Sequence, residues 1–303
     1  MKILNFGSLN IDYVYSVDHF VKKGETISSD DLEVFSGGKG LNQSIAMGRA
    51  GISVFHAGAV GTDGESLLQL LRQAGVSTEL VAVSEAVRTG NAIIQRDRSG
   101  DNCIILYGGA NQSISSDQIE RTLALFAAGD YLVLQNEING MKEIMEKAHQ
   151  RGLRIVLNPS PMNEKIEGLP LRFVDYFILN EIEAKGLLGR EDLEETDGEK
   201  LIRQLADRFP EAGILLTLGS DGAMYLDKNE NLYQPAYKVA VRDTTAAGDT
   251  FTGYFMAGLL KGLPKAECMK LAAKAAAIAV SRPGAAPSIP EWAEVEYFGG
   301  EVK

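Results

Sequence analysis

The 303-residue chain is 45% hydrophobic and 23% charged, proportions typical of a soluble globular fold, and carries a formal net charge of −11. That charge excludes nucleic acid as the main partner, because phosphate backbones are bound by clustered Lys and Arg; a small phosphorylated ligand needs only a local site and stays open. Cys103 and Cys268 lack metal or redox spacing, His19, His56 and His149 are scattered, and no run approaches the ~18 apolar residues of a membrane span.

The N-terminal apolar run ends by Gly7, too short for a secretory signal, so a cytoplasmic location is expected. Residues 3–6 read as a buried strand, followed by Gly7-Ser8-Leu9-Asn10-Ile11-Asp12. Asn10 and Asp12 stand two apart at the carboxyl end of that strand, where open α/β sheets bind ligands. Such a pair suits vicinal hydroxyls; a capped turn is the alternative reading. Residues 12–35 carry period-2 apolar positions (Tyr13, Tyr15, Val17) and no helical pattern. Ser36-Gly37-Gly38-Lys39-Gly40-Leu41-Asn42-Gln43 is a glycine-rich turn opening a helix over 41–50. It is neither a P-loop nor G-x-G-x-x-G, and a plain turn is its alternative reading.

Further strands are predicted at 54–60, 131–135, 154–158, 176–179 and 214–218. Helices are predicted at 66–74, 117–126, 141–151, 181–188 and 200–209, several closed by glycine, as at Gly51, Gly75 and Gly152. This alternation predicts an α/β fold, a doubly wound, mostly parallel sheet flanked by helices. Residues 91–96 and 102–107 form a predicted hairpin about the turn Asp97-Arg98-Ser99-Gly100. Neither this hairpin nor the 12–35 segment fits a crossover. Two insertions, about 12–36 and 89–109, are therefore expected to build a small antiparallel lid on a single domain spanning 1–303.

Polar groups recur where strands end: Gln135-Asn136-Glu137, Asn180-Glu181-Ile182-Glu183 and Thr217-Leu218-Gly219-Ser220-Asp221-Gly222. Together with Asn10 and Asp12 they point to one cleft. The last segment differs, with helices predicted over 250–260 and 265–280 and no strand between. Before them runs Arg242-Asp243-Thr244-Thr245-Ala246-Ala247-Gly248-Asp249-Thr250-Phe251. Phe251, Phe255 and Leu259 fall on one helical face, and Ala246, Ala247 and Gly248 let backbone N–H groups approach a ligand. A helix start offers unpaired N–H donors and about half a positive charge, which suits phosphate. Asp249 in that first turn is read as a base for an attacking hydroxyl, or alternatively as an ordinary first-turn acid.

Gly37-Gly38-Lys39-Gly40-Leu41-Asn42-Gln43 and Asp243–Phe251 together resemble the ribokinase family of ATP-dependent carbohydrate and nucleoside kinases. The resemblance covers nearly the whole chain and implies a doubly wound domain with a small β-sheet lid, often clasped by that of a second subunit in a homodimer. It implies Asp249 as catalytic base and the N–H groups of Ala246, Ala247, Gly248 and Asp249 as an anion hole. It implies a sugar-binding set of Asn10, Asp12, Gly38, Lys39, Asn42 and Glu137, with Asp249 also touching the substrate. Asn180 and Glu183 would help place Mg²⁺ and the triphosphate of ATP, and Thr217 and Gly219, with Gly248, would bind the nucleotide. A K⁺ site is implied at Asp243, Thr245, Ala279, Gly284 and Ser288. Gly108-Gly109-Ala110-Asn111 and Arg282-Pro283-Gly284-Ala285-Ala286-Pro287-Ser288 look most like the ribose-specific branch, with ribose 5-phosphate as the expected product. Leu41 stands where Ala is usual, and the neighbours of Glu137 depart from the common context. The open alternatives are a kinase for fructose, 2-keto-3-deoxygluconate, deoxyribose or a nucleoside, and a non-catalytic sugar or nucleotide sensor. A nicotinamide-dependent oxidoreductase is disfavoured, because G-x-G-x-x-G is missing after the first strand.

Overall fold

The computed structural model describes residues 1–190 and 197–303. The chain opens with β1 (Ile3–Phe6), β2 (Asn10–Ser16) and β3 (Asp31–Gly37), followed by α1 (Lys39–Arg49), β4 (Val54–Gly61) and α2 (Glu65–Gln73). Next come β5 (Ser77–Ser84), β6 (Gly90–Arg96), β7 (Asn102–Tyr107), α3 (Ser116–Leu123), β8 (Tyr131–Gln135) and α4 (Met141–Gln150). After β9 (Arg154–Asn158), β10 (Val174–Asn180), α5 (Glu181–Leu188) and α6 (Gly198–Arg208) follow β11 (Gly213–Thr217), β12 (Ala223–Leu226) and β13 (Asn231–Gln234). The helices α7 (Ala247–Leu260), α8 (Lys265–Val280) and the short α9 (Trp292–Glu296) complete the chain.

Nine strands form the main sheet in the order β13-β12-β11-β10-β9-β8-β1-β4-β5. The seven from β11 to β5 run parallel, and the β12–β13 hairpin closes one edge antiparallel. Parallel strands buried on both faces need unbroken apolar runs, and β1 and β8 are buried throughout. One core, with Ile45, Leu71, Phe255 and Met269, lies under α1, α2, α7 and α8; the other, with Leu123, Ile144, Leu187 and Leu205, lies under α3 to α6. The predicted strands and helices are found within a few residues of their expected limits. The pattern did not show the edge strands β5 and β13 or the short strand β12 beside β13, whose residues are only in part against the core. Phe251 and Phe255 are buried, yet Asp249–Gly258 of α7 is also buried without a break, so this helix lies inside the packing and has no polar stripe.

The lid is a second sheet, ordered β3-β2-β6-β7. Its outer pairs are antiparallel, whereas the central pair β2–β6 is parallel, a departure from the all-antiparallel expectation. The reason is topological. Strands β1 and β5 are parallel members of the main sheet, and β2 and β6 are their outbound continuations from the same edge. Among the described residues, no helix is long and apolar enough to cross a membrane.

Candidate active site

Parallel register gathers the polar strand ends along one edge. Gln135 of β8 pairs with Asn158 of β9, and Asn180 of β10 with Thr217 of β11. The strand order reverses between β8 and β1, the crevice where open α/β sheets hold ligands. There the Gly7–Ser8 turn meets the start of α1 at backbone distance. A methyl on Gly40 would lie 2.7 Å from Gly7 Cα, and Leu41 N–H donates to Ser8 O at 2.9 Å. Gly38, at φ 97, turns the chain from lid to helix in a conformation that disfavours any side chain.

On the lid side, Glu137 Oε2 accepts from the Ser8 hydroxyl and from Lys39 N–H (2.9 Å). Burial raises the Glu137 carboxyl above its usual range, against the opposing pull of the Ser8 hydrogen bond and the Lys39 charge. Asp12 lies across Gly37, where a methyl would come 2.5 Å from Asp12 Cγ. Burial, then the charge of Glu137, pushes the Asp12 carboxyl up to about 6. Asn10 Oδ1 accepts from Asn111 Nδ2 (2.7 Å), and Asn111 also pairs with both backbone groups of Leu9. Asn111 thereby splints the β1–β2 turn.

The cleft itself has a volume of about 200 Å³ and is lined by Lys39, Asn180, Glu183, Thr217, Gly248 and Asp249 among others. Asp249 is buried; Oδ2 accepts from Asn42 Nδ2 (3.1 Å) and Oδ1 from Gln43 Nε2 (2.9 Å). Burial lowers the pKa of Lys39, but the charges of Asp249, Glu137 and Glu183 outweigh it and hold the ammonium above its ordinary value. Asn180 and Glu183 form a reciprocal capping box at the start of α5, with Asn180 Oδ1 accepting from Glu183 N–H (2.9 Å) and Glu183 Oε2 from Asn180 N–H (3.0 Å). Capping alone explains that pair locally, and it also fixes a buried carboxylate in the wall of the cleft. Gly219 sits in the turn beyond β11 at φ 54.

Ala246, at φ 58, is the single non-glycine residue with positive φ among the described residues. It starts α7, at a conformational cost of about 1–2 kcal/mol. Ala247 N–H donates to Thr244 O (3.2 Å) and Thr250 N–H to Ala246 O (2.8 Å), so the N–H groups of Gly248 and Asp249 fall before the first intrahelical bond. Asp243 ties the preceding loop to the turn after α8: Oδ1 accepts from Thr245 N–H (2.9 Å) and Thr245 Oγ1 (2.6 Å), and Oδ2 from Gly284 N–H (2.8 Å). Although burial opposes it, these hydrogen bonds draw the Asp243 carboxyl below its usual range. Ala279 O accepts from Arg282 N–H (3.0 Å), and the buried Ser288 donates to Ala285 O (2.8 Å) in that same turn.

Four residues at the site went unassigned from sequence: Ser8, Gln43, Asn111 and Asn158. Asn158 ends a strand as Gln135 and Asn180 do, a signal that was available. Asn111 is 101 residues from Asn10, and no local spacing relates them.

Residues 1–292 match the family model described as pfkB family carbohydrate kinase. The chain is 34% identical to a Haemophilus influenzae ribokinase over 296 residues, 96% of each chain. Its fold matches a ribokinase from Cryptococcus neoformans in complex with ADP, with TM-score 0.88, 35% identity and coverage of 97% of this chain and 98% of the other. It also matches Arabidopsis thaliana ribokinase complexed with ribose and ATP, with TM-score 0.84, 28% identity and 97% coverage of both. The chain belongs to the pfkB family of carbohydrate kinases.

Proposed function

We infer that this protein is an ATP-dependent ribokinase, transferring the γ-phosphoryl group to the primary hydroxyl of ribose. The observation carrying this reading is the Asp249 carboxylate, held by Asn42 and Gln43 beside the free N–H groups at the start of α7. The Arabidopsis and Cryptococcus relatives, crystallised with ribose and ATP or with ADP, support the substrate pair.

In the reaction, Asp249 takes the proton of the sugar hydroxyl as its oxygen attacks the γ-phosphorus. The new P–O bond forms as the bond to the β-phosphate oxygen breaks, and ADP leaves with that electron pair. The Gly248 and Asp249 N–H groups offset charge on the transferring phosphoryl oxygens, and Lys39 adds a cation among the carboxylates. Asp12, which accepts no hydrogen bond from the described residues, is available to vicinal hydroxyls, with Asn10, Asn42 and Glu137 around the same sugar.

Four carboxylates (Asp12, Glu137, Glu183, Asp249) against one lysine make a poor host for bare triphosphate, which supports nucleotide binding as its Mg²⁺ complex. Glu183 is the buried carboxylate suited to hold that ion, since Mg²⁺ takes few protein ligands and keeps water and phosphate oxygens. When bound, Mg²⁺ neutralises phosphate charge. Asp243, Thr245 and the turn after α8 bring carboxylate, hydroxyl and carbonyl oxygens together, a donor set that fits K⁺, whose field would reinforce the neighbouring α7 start.

The lid supports a homodimer. Strand β7 is an edge strand with apolar residues exposed on both faces: Ile104 53%, Ile105 60%, Leu106 64% and Tyr107 52%. Edge strands of this kind are normally charged or covered, and a second lid supplies the cover. The mechanism is tested by Asp249→Asn. The variant is expected to fold and to lose at least roughly 10²-fold in kcat, as loss of a general base requires. Near-normal turnover would remove Asp249 from this role.

A further inference from the structure

A chain of buried polar side chains runs from Asp249 into the protein. Gln43 Nε2 donates to Asp249 Oδ1 (2.9 Å) and to Asn158 Oδ1 (3.3 Å). Gln135 Nε2 donates to Gln43 Oε1 (2.7 Å) and to Asn5 Oδ1 (2.9 Å). Asn5 Nδ2 in turn donates to Gly40 O and Ser44 Oγ, both at 2.8 Å. Asn5, Gln43 and Gln135 have no solvent exposure at all.

The direction of this chain is fixed at both ends. Gly40 O and the Asp249 carboxylate can only accept. Each amide N between them spends both hydrogens on a partner; Gln43 Oε1 and Asn5 Oδ1 each take a donor from Gln135, whose own Oε1 is buried with no hydrogen-bond partner among the described residues. Turning Gln43 over would set its oxygen against the Asp249 carboxylate and Asn158 Oδ1 and its nitrogen against Gln135 Nε2, and turning Gln135 over would set its oxygen against Gln43 Oε1 and Asn5 Oδ1, unpaired and buried in either case. Gln43 is therefore locked with its N–H toward Asp249, and the cost of rotating it is shared along the line. Gly7 belongs to the same device, since a methyl there would strike Gln135 Oε1.

We propose that Gln43 is a positioning residue for phosphoryl transfer, locked through Gln135 and Asn5, that sets the rotation of the Asp249 carboxylate about its side-chain bonds. Asn42 steadies the other oxygen, Oδ2. The sugar hydroxyl then meets a fixed lone pair, and no transition-state energy is spent orienting the base. This inference rests on Asp249 being the base.

Gln43→Met keeps length and volume and deletes the donor. The expected result is a fall in kcat of about 10- to 100-fold, the range spanned by loss of a charge-assisted hydrogen bond, with KM for Mg-ATP within about twofold. In an Asp249→Asn background the same substitution is expected to change kcat by less than about twofold, because its route of action is already gone. A merely structural residue would lower activity by the same factor in both backgrounds. Gln135→Met, which frees Gln43 to turn over, is the second variant and is expected to act in the same direction, by about 3- to 10-fold. It carries the test by itself if Gln43→Met does not fold. Unchanged kcat in a folded variant, or equal losses in both backgrounds, would overturn the proposal. An active Asp249→Asn single variant would instead overturn the assignment of the base.

Discussion

Gly40→Ala perturbs the closest backbone contact under the site. A β-carbon there would strike Ser8 N and sit 2.5 Å from Gly7 C and 2.7 Å from Gly7 Cα. Carbon atoms settle at about 3.5–4.0 Å, so the start of α1 must move by roughly 1 Å from the end of β1. All three obstructing atoms are backbone, and no side-chain rotation relieves them. Overpacking of this kind costs about 1–3 kcal/mol, and at about 2–4 °C per kcal/mol the expected fall in Tm is about 2–12 °C. The same shift pulls Lys39 N–H from Glu137 and Leu41 N–H from Ser8 O. A displacement of about 1 Å at reacting groups costs on the order of 10²-fold in turnover. Gly75→Ala is the control: at φ 78, with nothing within 4 Å of its added methyl, it meets only the left-handed backbone penalty of about 1–2 kcal/mol. Thermal melts and steady-state kinetics of the two variants decide the matter. The steric argument predicts lost turnover in Gly40→Ala alone; wild-type kcat in that variant would refute it.

Two further outcomes follow from charge and exposure. Asp12 titrates at about 6 in the fold, above its ordinary 3.8, so the native protein holds more protons than the unfolded chain between those values. Stability attributable to this group falls as pH rises through that window, and Asp12→Asn should raise Tm at about pH 8 with the gain vanishing near pH 4, while KM for the sugar rises about 10-fold or more. A pH-independent difference in Tm would contradict this sign. Ile105→Glu places a charge on the exposed lid edge, away from the Asp12 face of the sheet, and should convert a dimer to monomer in sedimentation equilibrium; an unchanged assembly would remove β7 from the interface.

The sequence and the structure agree where one physical rule governs. Buried parallel strands such as Tyr131–Gln135 must be apolar throughout and then turn polar where the edge opens, so both strand and site element are legible together. The hairpin 91–107 was legible from alternation and its turn, but the parallel β2–β6 pairing depends on which edge of the main sheet each strand leaves, a property of the assembled topology. Gln43 lay in view inside the glycine-rich motif, while its function depends on Gln135, 92 residues away. Buried amide networks leave no periodicity to read. The pair Asn180–Glu183 reads as a helix cap in any context, and only the shared cleft gives it further meaning.

The most direct measurement is ADP release with Mg-ATP and a panel of ribose, 2-deoxyribose, fructose, 2-keto-3-deoxygluconate and nucleosides, with and without K⁺. The expected result is strong turnover on ribose over every other acceptor, raised by K⁺ and lost without Mg²⁺. Preference for another acceptor would contradict the assignment of ribose while keeping the kinase chemistry, and failure to release ADP with any acceptor would contradict the catalytic reading of Asp249 and its cleft.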